Sequence, residues 1–331
     1  MKQVIFSGIQ PTGKLTLGNY LGALKNMALL QDEYDCVYCV VDMHSITVKQ
    51  ISSELRNKTM ELLALYLACG LDPTKSVIFV QSHVSAHAEL TWVLNTLTYI
   101  GEINRMTQFK EKSKTNAENI NVGLLDYPVL MASDILLYNT AVVPIGQDQK
   151  QHLELARTLA ERFNARYSPT FTVPEPYIAK VGGKIMSLQE PTKKMSKSDA
   201  NENASIYLTD DADTITRKIR RAVTDSSESI KFSTGKPGIS NLLTIYSLCS
   251  NCSISEAESR FASSSYAEFK QEVANSIIST LAPIQARQKE LLEDKQALDE
   301  ILSQGAQKAQ TLANKMLCKV YRKVGFVPRK F

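Results

Sequence analysis

No apolar run in this 331-residue chain approaches the roughly 18 residues that a bilayer span needs. The opening stretch, Met1 to Gly8, lacks the longer apolar core of a secretory leader. A cytosolic location is therefore the expectation. Internal repeats and low-complexity segments are not visible. A large charge of one sign is missing too. Lys and Arg number 38 and Asp and Glu 34, so the formal net charge is +4, which permits an anionic partner without requiring one. Cysteine is sparse, at six residues, yet Cys36/Cys39 and Cys249/Cys252 both have Cys-x-x-Cys spacing. The first pair lies inside Asp35-Cys-Val-Tyr-Cys-Val-Val-Asp42, a buried-strand pattern in which residues three apart point to opposite faces and cannot share a metal. The second pair has no histidine near it in sequence. Buried free thiols are the expectation, and no protein metal site is expected. No Ser/His/Asp arrangement for nucleophilic catalysis stands out.

What is present is an ordinary globular composition, 44% hydrophobic and 22% charged, in a chain long enough for two domains. Up to about residue 190 the pattern alternates. Short apolar strands are expected at Gln3–Gly8, Cys36–Val41, Ser76–Val80 and Ala141–Ile145. Helical patterns fall at Gly18–Leu30, from a cap at Ser52 or Ser53 to Ala68, and at His87–Ile100, Leu124–Tyr138 and Gln149–Tyr167. Strands separated by helices predict parallel βαβ units in a doubly wound, Rossmann-like sheet, with ligands bound outside the carboxyl ends of the strands. After about Ser198 only helical patterns remain: Asp211–Val223, Ile239–Leu248, Ile254–Ser263, Phe269–Leu281 and Ile284–Tyr321. The expected organisation is an α/β catalytic domain over residues 1–198 and an all-helical domain over 199–331.

The first strand runs into Gly8-Ile-Gln-Pro-Thr-Gly13-Lys14-Leu15. This nearly spells the phosphate loop G-x-x-x-x-G-K-S/T, but Leu15 has no hydroxyl to place on magnesium and Pro11 removes a backbone donor. Thr16-Leu-Gly18-Asn19 then opens a helix, whose N-terminus attracts phosphate and whose glycine lets a nucleotide come close. A plain capped helix would look the same.

The two stretches together, Gly8-Ile-Gln-Pro-Thr-Gly13 and Leu15-Thr-Leu-Gly-Asn-Tyr-Leu-Gly22, resemble the first signature of class I aminoacyl-tRNA synthetases in its tryptophanyl form. Thr16 and Asn19 stand where the common pattern has histidines, so imidazole contacts to phosphate are not implied. The resemblance implies that Gln10, Pro11, Thr12, Gly18 and Asn19 line an ATP site. Lys194-Met-Ser-Lys-Ser198 is identical to the second class I signature. It implies ATP contacts from Lys194, Met195, Ser196, Lys197 and Ser198, with Ile185 against the nucleotide. Lys194 and Lys197, with Lys112 of Gln108-Phe-Lys-Glu-Lys112, would stabilise charge on departing pyrophosphate.

In Leu124–Tyr138, residues Tyr127, Leu130, Met131, Asp134 and Tyr138 share one helical face, so Asp134 interrupts an apolar stripe. A bare buried carboxylate is costly. Its partner is either local, as a salt bridge or cap, or a ligand. A Met- and aromatic-lined pocket around one acceptor suits indole. The resemblance assigns Asp134 to the indole N–H and Phe6, His44, Tyr127, Met131, Val143 and Ile145 to the pocket. It places Gln149 near the amino acid, and Gly146, Gln147 and Asp148 on the ribose; Asp148 alone reads equally as a helix cap.

The implied reaction is tryptophan activation by Mg²⁺·ATP, then transfer to the 2′-hydroxyl of tRNA(Trp), by a homodimer that needs no membrane. Arg217, Lys218, Arg220 and Arg221, and the acid-free stretch with Lys308, Lys315, Lys319, Arg322, Lys323, Arg329 and Lys330, are candidate tRNA contacts or plain solvated surface. A tyrosyl enzyme of the same class, a P-loop NTPase and a non-catalytic RNA-binding module are the competing readings.

Overall fold

The computed structural model describes residues 2–107, 120–146, 149–177, 184–197, 199–225 and 229–327. Five strands form one parallel sheet: β1 (Val4–Ile9), β2 (Asp35–Val40), β3 (Val77–Val80), β4 (Val142–Pro144) and β5 (Glu175–Tyr177), in the order β3-β2-β1-β4-β5. β1 pairs with β2 from Val4 opposite Asp35 to Ile9 opposite Val40, and with β4 where Ile5 faces Val142. The strand order reverses at β1, as the doubly wound expectation requires. β5 was missed because Glu175-Pro-Tyr177 is short, half polar and contains proline, which is tolerated only at an edge.

Alternation along the strands divides the core. Ile5, Tyr38, Val40 and Ile78 point into one hydrophobic layer, and Phe6, Val37, Cys39 and Phe79 into the other. Cys36 joins the first layer and Cys39 the second, so that pair is split by the sheet. Helices cover both faces. On the first lie α1 (residues 17–30, with a π-helical turn at Tyr20–Leu24) and α2 (Ser52–Ala68). On the second lie α3 (Ala86–Asn95), α4 (Val122–Leu136) and α5 (Lys150–Arg166). The first layer continues without a break into α6 (Ala212–Arg220), α7 (Pro237–Ser250), α8 (Ile254–Arg260) and α9 (Tyr266–Glu293).

Three expectations need correction. The cap of α2 is Ile51, and no side chain caps it. The helix expected at His87–Ile100 ends at Asn95, because Thr96 and Thr98 turn their hydroxyls back onto the carbonyls of Val93 and Leu94. The break expected near Pro283 falls instead at Asp294. α9 runs through Pro283, since Leu281 and Ile284 on either side are both buried in the shared core. Asp294 begins the last helix, α10 (Lys295–Val324), by accepting a hydrogen bond from the backbone N–H of Ala297.

α10 closes the sheet. Its Leu298 and Leu302 enter the first layer, while Ala309, Ala313 and Val320 enter the second, so the helix crosses the edge strand β3 between them. Gly305 sits at the crossing, where a Cβ would stand 1.8 Å from the Ile78 carbonyl oxygen. Only glycine lets the backbones meet, and the helix shields an edge that would otherwise be open. Gly305→Ala should therefore lower stability by about 2 kcal/mol, the overpacking cost exceeding the roughly 1 kcal/mol gained from helix propensity. A chemical-denaturation midpoint that rises on this substitution would refute the close approach.

Candidate active site

The carboxyl ends of β1 and β4, where the strand order reverses, open into a cavity of about 340 Å³. Gly8 permits the tight exit of β1, since a Cβ there would lie 2.7 Å from the Val41 side chain. The cavity gathers Phe6 from β1, His44 from the turn after β2, Tyr127, Met131 and Asp134 from α4, Val143 and Ile145 from the β4 exit, and Gln149 at the start of α5. These are all the residues expected around an amino acid. Gln10, Gly146 and Lys197, from the nucleotide set, line the same cavity.

Asp134 is 1% exposed and accepts from three side chains. Its Oδ2 lies 2.8 Å from His44 Nε2, and its Oδ1 accepts from Gln81 Nε2 at 2.7 Å and from His87 Nδ1 at 2.6 Å. The other nitrogen of His87 lies 2.8 Å from the Tyr138 hydroxyl, and the His87 carbonyl accepts from Ser133 Oγ at 2.7 Å. Burial alone pushes the Asp134 carboxyl up. The hydrogen bonds and charge of His44 and His87 outweigh it and hold the group below the usual carboxylate range. A carboxylate has about four lone-pair sites, so three bonds leave it able to accept one more. The local partner and the ligand are not alternatives here, because the site has room for both.

A second buried chain runs beside it. The Tyr127 hydroxyl lies 3.0 Å from His152 Nε2, and His152 Nδ1 lies 3.0 Å from Gln149 Oε1. Burial pushes the Tyr127 hydroxyl up to about 12. Gln81, His87 and His152 escaped the sequence reading, and Tyr138 is read there only as part of the stripe that carries Asp134. A usable signal existed: the chain has only four histidines, and His44, His87 and His152 are all buried here.

The two signatures meet. Lys197 Nζ donates to the Thr12 carbonyl at 2.6 Å and lies 3.4 Å from the Thr12 hydroxyl. Gly13, at φ +68°, packs beneath the Lys197 side chain. Gly18 faces Ile185 and Met195, which lies close because Met195 N–H donates to the Ile185 carbonyl at 3.0 Å. Asn19 accepts at its amide oxygen from Thr16 N–H at 2.9 Å, which leaves its NH₂ as the donor for a ligand. Pro11 is buried outside the cavity lining, Lys194 is exposed beside the bridge it forms with Met186, and the Ser196 carbonyl accepts from Ser205 Oγ at 2.9 Å. Residues 205–208 run antiparallel to Leu15–Leu17, with backbone bonds from Leu17 N–H to Ile206 and from Leu208 N–H to Leu15. Lys112, Gln147, Asp148 and Ser198 lie outside the described residues.

One expected tRNA contact fails. Lys218 is buried, and its ammonium is held by Asp210 Oδ2 at 2.7 Å and the Ser205 carbonyl at 2.9 Å, over the Tyr207 ring. It faces inward on α6, while Arg217, Arg220 and Arg221 are exposed.

Comparison with known proteins agrees with this arrangement. The family of class I tRNA synthetases (W and Y) matches residues 2–282. A tryptophan–tRNA ligase of Clostridium tetani is 56% identical, over 98% of this chain and 96% of that protein. The crystal structure of tryptophanyl-tRNA synthetase from Mycoplasma pneumoniae superposes with a TM-score of 0.91 at 36% identity, covering 99% of each chain. That of the Campylobacter jejuni enzyme, complexed with ADP and tryptophan, does so at 0.84 with 32% identity, covering 98% of this chain and 100% of that one. With both signatures converging on a cavity at the sheet's switch point and relatives of this identity along nearly its whole length, the chain belongs to the class I tRNA synthetases of the W and Y group.

Proposed function

We propose that this chain activates tryptophan with ATP and transfers it to tRNA(Trp) in the cytoplasm, where those reactants meet. The observation that carries the reading is Asp134, an ionised acceptor with one vacant site, set among Phe6, Met131, Val143 and Ile145. Such a pocket complements a large apolar ring bearing one N–H, and a site built to receive that N–H strongly rejects rings without it. The relatives' activity and the ligands of the Campylobacter structure support the same assignment. Tyr127 and Gln149 attend the amino acid's charged end, with His44 as part of the wall. Gln10, Pro11, Thr12, Gly18, Asn19, Gly146, Ile185, Met195 and Ser196 serve the nucleotide, together with Gln147, Asp148 and Ser198. The substrate carboxylate attacks the α-phosphorus of Mg²⁺·ATP, giving the adenylate and pyrophosphate. Lys194, Lys197 and Lys112 stabilise the charge that builds on the leaving phosphates. Magnesium arrives on the phosphates. The 2′-hydroxyl of the terminal tRNA adenosine then attacks the acyl carbon of the adenylate, forming the ester as the acyl–phosphate bond breaks and AMP leaves. Positioning and charge carry both steps, without a protein nucleophile.

The division into a catalytic part, 1–198, and a tRNA-reading helical part, 199–331, belongs to the same proposal. Arg217, Arg220 and Arg221 on α6 and the exposed Lys308, Lys315, Lys319, Arg322 and Lys323 along one face of α10 suit an RNA backbone. A homodimer is proposed across the apolar depression that holds Ile46 and Trp92, 65% and 69% exposed, flanked by Ile120 and Val122.

Four measurements test the reading. Pyrophosphate exchange should depend on tryptophan and not on tyrosine. Asp134→Ala should raise the KM for tryptophan about 30-fold or more, as expected for one lost hydrogen bond to a charged group, and leave that for ATP within about threefold. Equal effects on both substrates would make the carboxylate merely structural. Replacing Arg217, Arg220 and Arg221 together should raise the tRNA KM in aminoacylation while exchange persists; a matching loss of exchange would sink that assignment. Trp92→Glu should give a monomer in sedimentation, and an unchanged dimer would move the interface elsewhere.

A further inference from the structure

We propose that Asn241, on α7, is a positioning residue for the activation step, its side-chain amide setting the second phosphate signature over the first. This rests on the reading that Lys194 and Lys197 stabilise the leaving phosphates. Residues 185–195 form a short hairpin in which Met186 stands opposite Lys194. The cross-strand bonds come from the neighbouring residues, Ser187 N–H to the Lys193 carbonyl at 2.8 Å and Met195 N–H to the Ile185 carbonyl at 3.0 Å. In an antiparallel pair of that kind the N–H and C=O of Met186 itself point outward, away from Lys194. Asn241 meets both. Its Oδ1 accepts from Met186 N–H at 2.8 Å, and its Nδ2 donates to the Met186 carbonyl at 2.9 Å. One side chain thus takes the place of a third strand, and at 4% exposure water is a poor substitute for it. A two-stranded hairpin is marginal by itself, so outside contacts decide where it sits. α7 can hold Asn241 in place because its own start is fixed. A Cβ on Gly238 would stand 2.2 Å from the Val223 carbonyl oxygen, and Ile239, Leu242 and Leu243 are buried in the first layer. Val223 N–H in turn donates to the Leu188 carbonyl at 2.8 Å, so the helical part grips this strand at two points. The grip reaches the first signature directly. A Cβ placed on Gly18 would lie 3.5 Å from that of Ile185, the neighbour of Met186, and 3.7 Å from that of Met195. Asn241 does not line the cavity, so it acts through what it holds: Lys194 opposite Met186, and Lys197 beyond it.

The clamp is separable from packing and from folding. The test measures single-turnover adenylate formation from tryptophan and ATP, expressed per titrated active site. Asn241→Ala empties the position, whereas Asn241→Leu fills it without a donor or an acceptor. Each should lower that rate about 100-fold, the cost of moving a charge-stabilising group by about 1 Å. The dissociation constant of tryptophan should change less than about threefold, since the lost interaction belongs to the transition state. In protein that already carries Lys194→Ala and Lys197→Ala, adding Asn241→Ala should cost less than about threefold more, because the groups it places are gone. Several outcomes would make the amide a folding contact and overturn the proposal: an unchanged rate per site with fewer sites, a matching loss of tryptophan affinity, a full further loss in the double lysine variant, or loss of cooperative unfolding in both Asn241 variants. Wild-type protein that forms no adenylate with tryptophan would instead overturn the assignment of function, so the two failures are told apart.

Discussion

A single buried charge organises the catalytic end of this molecule. The Asp134 carboxylate is withdrawn from water, which costs several kcal/mol unless donors replace the solvent. Those donors come from separate places in the chain: His44 after β2, Gln81 after β3 and His87 on α3. The charge therefore ties the exits of two strands to two helices. Because the folded carboxyl sits below its ordinary range, the stabilisation it brings is fully present above the unfolded carboxylate value, near 4, and is lost as pH falls through the folded one. Its surroundings respond in kind. Burial, with a smaller push from the Asp134 charge, raises both the Cys39 thiol and the Tyr138 hydroxyl, so neither adds a competing negative charge.

The same economy explains Lys218. A cation on α6 invites a surface role, yet its ammonium binds Asp210 and the carbonyl of Ser205. Ser205 in turn holds the Ser196 carbonyl of the second signature, and its neighbours Ile206 and Tyr207 run along Leu15–Leu17 of the first. A buried ion pair outside the cavity thus anchors the strap that keeps the two phosphate segments on one side of the sheet. Removing Asp210 would leave the buried Lys218 ammonium without a counter-charge, at a cost of roughly 3–5 kcal/mol.

Much of this was legible in the sequence, for identifiable reasons. Period-two alternation in Asp35–Val40 dictates that Cys36 and Cys39 part to opposite layers, and they do. The stripe through Tyr127, Met131 and Asp134 needs only the helical repeat to bring those residues to one wall. Other features depend on contacts far apart in the chain. Nothing local to Gly305 announces that it must pass the Ile78 carbonyl, and local rules make it only a poor helix residue. Pro283 signals a break by the same local rules, and the core on both sides overrides it. Lys218 lies within a run of cations, where burial depends on which face of α6 meets the strap. His87 and His152 act through residues 47 and 25 positions away, so no short window of sequence contains either pair.

The two ends of the site differ in kind, and the chemistry explains the difference. Choosing one amino acid among similar ones depends on donors and acceptors that cannot reorient, since a group free to turn can satisfy the wrong ligand. That end is accordingly buried, and its polar side chains are braced by others that never reach the cavity: Gln81 and His87 behind Asp134, His152 behind Tyr127 and Gln149. Stabilising a departing pyrophosphate has the opposite requirement, since a cation bound equally well to the intact nucleotide lowers no barrier. Charge there must strengthen its hold as the reaction proceeds. Lys194 and Lys197 are exposed, on a segment tied by backbone bonds at Met195 and Ser196, and Lys197 Nζ donates to the Thr12 carbonyl. A neutral carbonyl is a partner that phosphate oxygens, as charged acceptors, can displace.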